Sequence, residues 1–579
     1  MQILGVDVGG TFTDAVLLDG PELRTAKVST ARRQEESVVA VARAVGAESV
    51  ERFSHGTTVA TNALLERKGA RTAFVGTAGF EHLLHLRRQT RAHLYRLCAH
   101  HPEALVPLER CVGVRERMGP DGVLDALELN SLPELDADAV AVCLLHAYRH
   151  PEHERAVAAE LRRRMPGAHV VASHEIAPEF REYERASTAA ADAYLGPVTS
   201  RYLRALASAA AGAGLPEALV MRSSGGVATV AEAAAHPALV LVSGPAAGAV
   251  GAARVAGEAG FPNAIAFDMG GTSTDVCLIV DGVAQRSNER LVGGVPIRLP
   301  TIDIHTVGAG GGSIARVDAG GAVRVGPESA GAEPGPAAYG RGGKLPTVTD
   351  ANLLLGRLPE RLAAGVELDR SAAERAFDAL DPAAVVAVVN AEMLRALRVV
   401  SVERGHDPRD FALVAYGGAG PLHACALAEE LGIRTVLVPA SAGVLSALGL
   451  VASDERRDRV ESMLVPLDQA GELPQDGEAD LRYVGQSFEL TIPLQPDLTA
   501  AFHRAHDERY GYADRRRPIE LVAVRTADVR PGPTFDLPVA EPLTVHGPAV
   551  LEQSGSTVFI APGWVGVRDG SSTLKVTKP

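Results

Sequence analysis

The chain contains two copies of a sequence motif whose residue types suit the binding of phosphate. The core Asp-x-Gly-Gly-Thr-x-Thr-Asp runs from Asp7 to Asp14 and again from Asp268 to Asp275, with six of its eight positions identical. Consecutive glycines let backbone N–H groups approach a phosphate closely, and threonine hydroxyls can add hydrogen bonds. The repeated motif therefore predicts two phosphate-binding hairpin turns, 261 residues apart, on a duplicated domain. The predicted contact residues are Gly9, Gly10, Thr11, Thr13, Gly270, Gly271, Thr272 and Thr274.

The first aspartate of each copy lies at the end of an apolar run. A carboxylate in the position of Asp7 or Asp268 is costly unless it meets a cation or a hydrogen bond. A hydrated Mg²⁺ ion, which takes few carboxylates together with phosphates, is the expected partner of both. A simple turn is the alternative for either copy alone, but the repeated order of acid, glycine and hydroxyl favours the phosphate site.

A third glycine-rich turn follows an apolar run at 411–416. Gly417, Gly418 and Gly420 come next, and a helical pattern covers 423–431. A strand, a glycine turn and a helix N-terminus in this order face an anion or a nucleotide. The turn matches neither Gly-x-x-x-x-Gly-Lys-[Ser/Thr] nor strict Gly-x-Gly-x-x-Gly spacing.

Two further places carry candidate catalytic groups. Asp303 and His305 alternate on a predicted strand, so both are expected on one face, ahead of a polyglycine turn. They can ligate a second metal ion or act as a base oriented by a carboxylate; a hydrogen-bonded structural histidine is the alternative. His55, ahead of Gly56, is a second candidate with the same alternative.

The elements that must position these residues alternate between strand and helix in the first 185 residues, which predicts a layered α/β domain. The expected domains are 1–185, 186–455 and a β-rich unit at 456–579 with a helix near 499–509. The segment 308–343 is rich in Gly, Pro and Ala and is expected to be a long functional loop.

Composition limits the classes of function. The net charge of −14 argues against a nucleic-acid or anionic membrane surface. The longest apolar stretches are too short to span a bilayer, and the start of the chain has no signal-peptide pattern. Five cysteines without metal-ligand spacing favour a reducing cytoplasm.

Longer motifs carry a more specific signal. The chain resembles the A-type (ATP-binding) units of the hydantoinase/oxoprolinase family, and the matching motifs lie at 55–66, 173–188, 243–248, 303–315, 329–340, 346–352 and 416–424. One departure is a connection of about 25 residues, at 452–474, where the family usually has a long helical stretch.

The resemblance implies a duplicated actin-like ATPase fold, as in sugar kinases, heat-shock chaperones and actin, with a C-terminal β-rich domain. It implies ATP and Mg²⁺ as cofactors, with Gly417, Gly418 and Gly420 near the adenosine. The implied reaction is hydrolysis of a cyclic amide, such as a hydantoin or 5-oxoproline, through phosphorylation of the amide oxygen. The implied partner is a B-type subunit, and a homo-oligomer is a further expectation.

Three alternatives stay open. An ATP-binding subunit of an acetone- or acetophenone-type carboxylase, acting on a ketone, shares all of these motifs. A sugar-kinase-like enzyme would need no Asp303–His305 pair. A nucleotide-switch protein would need a peptide-binding module.

Overall fold

A computed structural model describes residues 2–20, 22–362, 367–378, 380–537, 539–553 and 555–579. Its elements up to residue 212 are β1 (Gln2–Val8), β2 (Phe12–Asp19), β3 (Glu22–Ser29), α1 (Gln34–Ala44), β4 (Val50–Thr57), α2 (Val59–Leu65), β5 (Thr72–Thr77), α3 (Leu83–Leu86), β6 (Cys111–Gly119), β7 (Gly122–Glu128), β8 (Ala139–Cys143), α4 (Glu152–Arg164), β9 (His169–Ala172), α5 (Ser173–Ile176) and α6 (Glu182–Gly212).

The middle of the chain continues the alternation of strands and helices. Its elements are β10 (Ala218–Met221), β11 (Val227–Thr229), α7 (Val230–Ala235), α8 (Ser243–Glu258), β12 (Ala264–Met269), β13 (Thr274–Val280), β14 (Val283–Ala284), β15 (Arg286–Ser287), β16 (Arg290–Val292), β17 (Val295–Ile297), β18 (Thr301–Ile302), β19 (Ile304–Val307), β20 (Ser313–Val317), β21 (Val323–Ser329), α9 (Val348–Leu354), α10 (Arg370–Phe377), α11 (Pro382–Val400), β22 (Ala412–Tyr416), α12 (Gly420–Leu431), β23 (Thr435–Pro439) and α13 (Leu445–Ala452).

The last part of the chain is mostly strand. Its elements are β24 (Glu455–Pro466), β25 (Glu478–Tyr483), β26 (Leu490–Pro493), α14 (Leu498–Tyr510), β27 (Ile519–Arg530), β28 (Leu543–His546), β29 (Ala549–Gln553), β30 (Ser556–Ile560), β31 (Val565–Arg568) and β32 (Thr573–Thr577). Helix α14 corresponds to the helix predicted near 499–509, and local signals fix its two ends. Asp497 accepts a hydrogen bond from the Ala500 N–H at its start, and Gly511, with φ +75°, follows its end.

Two large sheets share one connectivity. In the first sheet the order β3-β2-β1-β4-β10 has β1 antiparallel to β2 and parallel to β4. In the second sheet the order β14-β13-β12-β22-β23 repeats this pattern, with β12 antiparallel to β13 and parallel to β22. The two copies of the repeated motif therefore lie at equivalent hairpins, β1–β2 and β12–β13. The predicted duplicated α/β fold is confirmed.

The C-terminal strands extend both sheets. Strands β24 to β27 continue the first sheet beyond β11, whereas β32, β31 and β28 continue the second sheet beyond β23. The predicted unit 456–579 is thus shared between the two sheets. Only residues 453 and 454 separate α13 from β24, so most of the expected connection at 452–474 is a sheet strand.

Two other expectations differ from the structure. The boundary placed at 185/186 falls inside α6, a helix of 31 residues. The segment 308–343 is not a plain loop, because it contains the hairpin β20–β21 and a short 3₁₀ turn at Ala337–Tyr339. Glycine and proline hide the strand pattern there, since neither residue favours a strand.

Helices α8 and α13 pack closely against each other between the two sheets. A Cβ on Gly449 of α13 would collide with the carbonyl oxygen of Ala247 in α8. A Cβ on Gly5 of β1 would likewise collide with the carbonyl oxygen of Ala447 in α13. Glycine is therefore needed where these backbones approach one another.

A buried ion network joins all three predicted units. Glu179 accepts hydrogen bonds from Arg298 and from Arg525, and Arg525 also donates to Asp480 at 2.8 Å. Glu489 accepts from Arg298 as well. Glu179, Arg298, Arg525 and Asp480 are nearly fully buried, so each charge depends on its partners. The motif at 173–188 therefore contributes Glu179 to this network.

No described helix is both long and apolar enough to cross a bilayer.

Candidate nucleotide-binding site

The two repeated turns face each other across one cleft. Gly9, Gly10 and Thr11 line one side, and the corresponding residues of the second copy line the other side. The cleft encloses about 380 Å³. The second-copy residues at the cleft are Gly270, Gly271 and Thr272.

The aspartates of the two copies share one register. Asp7 stands opposite Asp14 in the β1–β2 hairpin, and Asp268 stands opposite Asp275 in the β12–β13 hairpin. A side chain from the third strand engages the second aspartate of each pair. The Lys27 ammonium lies 2.6 Å from Asp14 Oδ1, and the Thr306 hydroxyl donates to Asp275 Oδ1 at 2.5 Å. Asp7 and Asp268 also line the cleft, and within the described parts of the chain neither has such a partner.

Glycines surround these two carboxylates. A Cβ on Gly56 would come within 2.5 Å of Asp7 Oδ1, and a Cβ on Gly244 within 3.2 Å. A Cβ on Gly417, whose φ is +79°, would collide with Asp268 Oδ1. The space beside each carboxylate is therefore kept free of side chains.

Burial and repulsion from neighbouring aspartates raise the pKa values of both carboxylates. Burial, followed by repulsion from Asp14 and against the attraction of Lys27, raises the pKa of Asp7 to about 7. Burial, followed by repulsion from Asp275 and Asp7, raises the pKa of Asp268 to about 8.

The donor set fits a hydrated Mg²⁺ ion. Asp7 Oδ1 is buried and has no hydrogen-bond partner among the described residues, and glycines leave room next to it. Two carboxylates with water and phosphate oxygens form the coordination that Mg²⁺ prefers. Among the described residues there is no group of three or more His, Cys, Asp or Glu side chains placed to hold a metal ion without such help, including near Asp303 and His305.

The structure does not bring the second threonine of either copy of the motif to the cleft. Thr13 is fully buried, and its hydroxyl lies 3.0 Å from that of Thr30. Thr274 is also fully buried and donates to the Ala309 carbonyl at 2.6 Å. These two hydroxyls support the turns from behind, whereas Thr11 and Thr272 face the cleft.

The polyglycine turn after β19 supports the second phosphate turn. Gly311 N–H donates to the Gly270 carbonyl at 3.0 Å, and Gly312 N–H donates to the Gly271 carbonyl at 2.7 Å. A Cβ on Gly310 would come within 2.6 Å of Thr272 N. This part of 308–343 therefore works as a second layer beneath the turn, and Gly311 and Gly312 also line the cleft.

The third glycine turn lies at the cleft, which continues toward an apolar end. Gly417 and Gly418 line it, while Gly420 begins α12 behind them, with Phe267 as its neighbour. Apolar and aromatic side chains close the apolar end: Pro336, Tyr339, Leu358, Leu362 and Leu422, with Arg341 beside them.

Asp303 and His305 lie outside the cleft lining. Asp303 forms an ion pair with Arg404. His305 stands beside Val276 in the register, whereas Thr306 stands beside Asp275. Because successive strand residues project to opposite faces, His305 lies on the opposite sheet face from Asp275. Burial, and then Arg404, lowers the pKa of His305.

His55 is also away from the cleft. Its ring is fully buried, with Nδ1 3.1 Å from the Val6 carbonyl and Nε2 2.8 Å from the Tyr202 hydroxyl. Burial lowers the pKa of His55 to about 4, so the ring is neutral and both nitrogens are engaged.

Other cleft residues escaped the sequence analysis. Lys27 carries no motif, and only its position opposite Asp14 in the β2–β3 register explains its role. Gly555, Ser556 and Thr557 come from the β29–β30 hairpin, more than a hundred residues beyond the third glycine turn.

Two family models match the chain. The model described as "Hydantoinase/oxoprolinase N-terminal region" covers residues 3–165, and the model described as "Hydantoinase/oxoprolinase" covers residues 185–459. Together they span most of the chain, including both repeated turns and the third glycine turn.

Individual relatives agree. The chain is 32% identical to caprolactamase subunit alpha of Pseudomonas jessenii, over 99% of both chains. That alignment runs over 686 positions, more than the 579 residues of this chain, so the relative carries segments that this chain lacks. The crystal structure of ATP-dependent caprolactamase from the same organism matches with a TM-score of 0.84 and 30% identity, over 99% of each chain.

Two more relatives are named for other activities. 5-oxoprolinase 1 of Arabidopsis thaliana is 35% identical over 79% of this chain and 42% of its own length. The acetophenone carboxylase gamma subunit of Aromatoleum aromaticum is 33% identical over 77% of this chain and 67% of its own. The resemblance inferred from the motifs is confirmed: the chain belongs to the hydantoinase/oxoprolinase family.

Proposed function

We propose that this chain is the ATP-binding, A-type component of an enzyme that hydrolyses cyclic amides. The observation that carries the proposal is the pair of facing turns with Asp7 and Asp268 beside them, both half-buried and neither in a salt bridge with a described residue. Two such turns and two such carboxylates suit a nucleoside triphosphate with its metal ion. The relatives named caprolactamase and 5-oxoprolinase support the choice of a cyclic amide.

Each part of the cleft has a role in this proposal. Gly9, Gly10 and Thr11 contact the phosphates from one side, and the matching residues Gly270, Gly271 and Thr272 contact them from the other. Asp7 and Asp268 hold the hydrated Mg²⁺ ion. When bound, this ion neutralises negative charge on the phosphates.

The nucleoside lies beyond Gly417 and Gly418. The apolar end of the cleft, formed by Leu358, Leu362 and Leu422 among others, suits the faces of a purine base. Tyr339 contributes an aromatic ring to the same wall.

The reaction follows from the stability of the amide. Resonance makes the amide carbon a poor electrophile. It also makes the carbonyl oxygen the most nucleophilic atom of the amide group. Attack of that oxygen on the γ-phosphorus forms a new O–P bond and releases ADP. Water then adds to the activated carbon, the ring C–N bond breaks as nitrogen takes a proton, and a second water releases phosphate from the resulting acyl phosphate. The products are a ring-opened amino acid, ADP and phosphate.

A second polypeptide is part of the proposal. One relative that matches over 99% of both chains is named a subunit, and the 5-oxoprolinase relative is more than twice as long as its matched region. We infer that a B-type component completes the later steps. A cytoplasmic setting also belongs to the proposal, supported by the five cysteines, all of which are free thiols.

An ATP-dependent carboxylase subunit is the second candidate. The 33% identity to the acetophenone carboxylase gamma subunit, over 77% of this chain, favours it. In this case the acceptor of the phosphoryl group is the enolate oxygen of a ketone.

The test is a panel of acceptors scored by ADP release. The purified chain, alone and together with any polypeptide that co-purifies with it, is incubated with MgATP and one of hydantoin, 5-oxoproline, caprolactam, or acetophenone plus bicarbonate. Stimulation by a cyclic amide with ring-opened product supports the hydrolase. Stimulation only by ketone and bicarbonate establishes the carboxylase instead, and a chain that does not bind MgATP overturns both.

A further inference from the structure

Gly555 and the first two residues of β30, Ser556 and Thr557, are called the C-terminal turn, and this turn lies in the cleft although it belongs to the C-terminal part of the chain. The Ser556 hydroxyl donates to the Gly417 carbonyl at 2.9 Å. A Cβ on Gly555 would come within 3.1 Å of Lys27 Cε and 3.4 Å of Gly443 Cα. The turn therefore touches both sides of the cleft at once, because Lys27 belongs to the first sheet and Gly417 follows a strand of the second.

The turn also presents polar groups to the cleft. Ser556 and Thr557 line it and are only 6% and 5% exposed. Gln553 stands directly opposite Ser556 in the hairpin register, so the two side chains project from the same face. Gln553 Oε1 is buried and has no hydrogen-bond partner among the described residues. A phosphate oxygen cannot donate to this oxygen, but rotation of the amide about its last bond places the NH₂ group there, where it can donate to an anion.

We propose that this turn is a third element of the nucleotide site, and that Gln553, Ser556 and Thr557 bind the polyphosphate. The inference rests on the proposed ATP binding and goes beyond it, since the clamp formed by the two repeated turns needs no contribution from the C-terminal segment.

The position of the turn favours contact with the phosphates rather than with the nucleoside. Lys27, its neighbour on one side, bonds Asp14, which stands opposite Asp7. Gly417, its neighbour on the other side, lies against Asp268. The apolar end of the cleft is formed by other residues. The Thr557 hydroxyl can donate to a phosphate oxygen, the Gln553 amide can do so through its NH₂ group, and the Ser556 hydroxyl can do so by exchanging its bond to the Gly417 carbonyl for one to phosphate.

Nucleotide binding should then hold the hairpin in place. Strands β29 and β30 form a two-stranded sheet, and neither adds to a larger one in the described part of the chain. A phosphate bridge from this hairpin to both sides of the cleft would slow its amide exchange. The expected observation is slower hydrogen–deuterium exchange in 549–560 with MgADP than with Mg²⁺ alone.

Affinity measurements test the three side chains. Ser556→Ala, Thr557→Val and Gln553→Glu are titrated with MgADP by calorimetry and with adenosine by ligand-observed NMR. Loss of a hydrogen bond to a charged phosphate predicts about a tenfold or greater fall in MgADP affinity. Gln553→Glu, which keeps the shape and adds a negative charge, should lower it further. Adenosine has no phosphate, so its affinity should not change. Thr544→Val, at an exposed position of β28, is the matched control.

Each outcome decides the inference. Wild-type affinity for MgADP in all three variants overturns it and leaves the proposed ATP binding intact. An equal loss for adenosine and MgADP also overturns it, because the whole cleft would then have been disturbed. Failure of the wild-type chain to bind MgADP overturns the proposed function and this inference together. Loss confined to MgADP, with unchanged circular dichroism, supports it.

Discussion

Gly417 lies directly against the carboxylate of Asp268, with no space between them for a side chain. A Cβ on Gly417 would collide with Asp268 Oδ1 and with the Met269 carbonyl oxygen, and its φ of +79° disfavours any other residue. The neighbouring Gly418 differs, because the nearest atom to a Cβ there is the Gly555 carbonyl oxygen at 4.0 Å. The same glycine pair therefore contains one constrained position and one open position.

Gly417→Ala should disable the nucleotide site, whereas Gly418→Ala should not. The new methyl group at position 417 displaces the Asp268 carboxylate or the turn, so we expect at least about a tenfold loss of MgADP affinity, in keeping with a lost charged hydrogen bond. Calorimetric titration of both variants checks this. Equal affinities in the two variants would contradict the role assigned to this contact.

Asp268→Asn should abolish ATP hydrolysis without unfolding the protein. The amide keeps the shape of the carboxylate but removes the charge that is assigned to the metal, and we expect a loss of about 100-fold or more. His305→Asn is the comparison, because His305 lies outside the cleft lining, and its MgADP affinity should equal that of the wild type. Undiminished ADP release by Asp268→Asn would exclude the metal assignment.

Stability should depend on pH through the same carboxylates. Burial raises the pKa of Asp7 to about 7 and that of Asp268 to about 8, above the ordinary value of about 4 in the unfolded chain. Their contribution to stability is therefore fully present below about pH 4 and is lost as the pH rises through 7 to 8. Without Mg²⁺, the wild type should lose a few degrees of melting temperature between pH 5.5 and 8.5 relative to an Asp7→Asn, Asp268→Asn double variant.

Magnesium should reverse that loss, because it binds the ionised carboxylates. The melting temperature gained on adding Mg²⁺ is expected to grow with pH in the wild type and to vanish in the double variant. Differential scanning calorimetry at several pH values measures both. A gain that is independent of pH would show that Mg²⁺ binds elsewhere.

Glu179→Gln should destabilise the protein strongly. The change leaves Arg298 and Arg525 buried with one carboxylate fewer, and breaking a buried ion pair in this way costs about 3–5 kcal/mol. The control is Asp528→Asn, which removes an exposed pair with Arg459 on strands β27 and β24 and should cost at most about 1 kcal/mol. Urea unfolding compares the two, and similar midpoints would contradict the buried role.

Gly449→Ala should destabilise the contact between α8 and α13. Its methyl group would collide with the Ala247 carbonyl oxygen, so the helices must separate, and overpacking of this kind costs about 1–3 kcal/mol. Gly257→Ala, near the end of α8, meets no atom within 4 Å and should be neutral or slightly stabilising. Thermal unfolding distinguishes them, and the opposite order would refute the close approach.

Local patterns predicted the parts of the site that lie within one hairpin. The glycines, Thr11 and Thr272 belong to short motifs whose residues are a few positions apart, so sequence spacing is sufficient to place them at the turns. Thr13 shows the limit of this argument. Its identity and spacing match those of Thr11, but it faces the protein interior.

Contacts between distant segments could not be predicted in the same way. Lys27 reaches Asp14 only after the β2–β3 register is set, and Ser556 reaches Gly417 only after the C-terminal strands have joined the second sheet. The spacing of Asp303 and His305 likewise carried no information about which sheet face would meet the cleft. The ion pair between Glu179 and Arg525 joins residues 346 positions apart, and no local pattern specifies it.

The last strand of the second sheet has a consequence for synthesis on the ribosome. Residues Thr573–Thr577 pair with Thr435–Pro439, and strand β27, which ends at Arg530, is needed to extend the first sheet. As the chain emerges, each sheet is left with an exposed edge until these late residues appear. Among the described strands of the second sheet, Thr573–Thr577 is therefore the last to be synthesised, and release of the nascent chain before it would leave β23 open to pairing with other molecules.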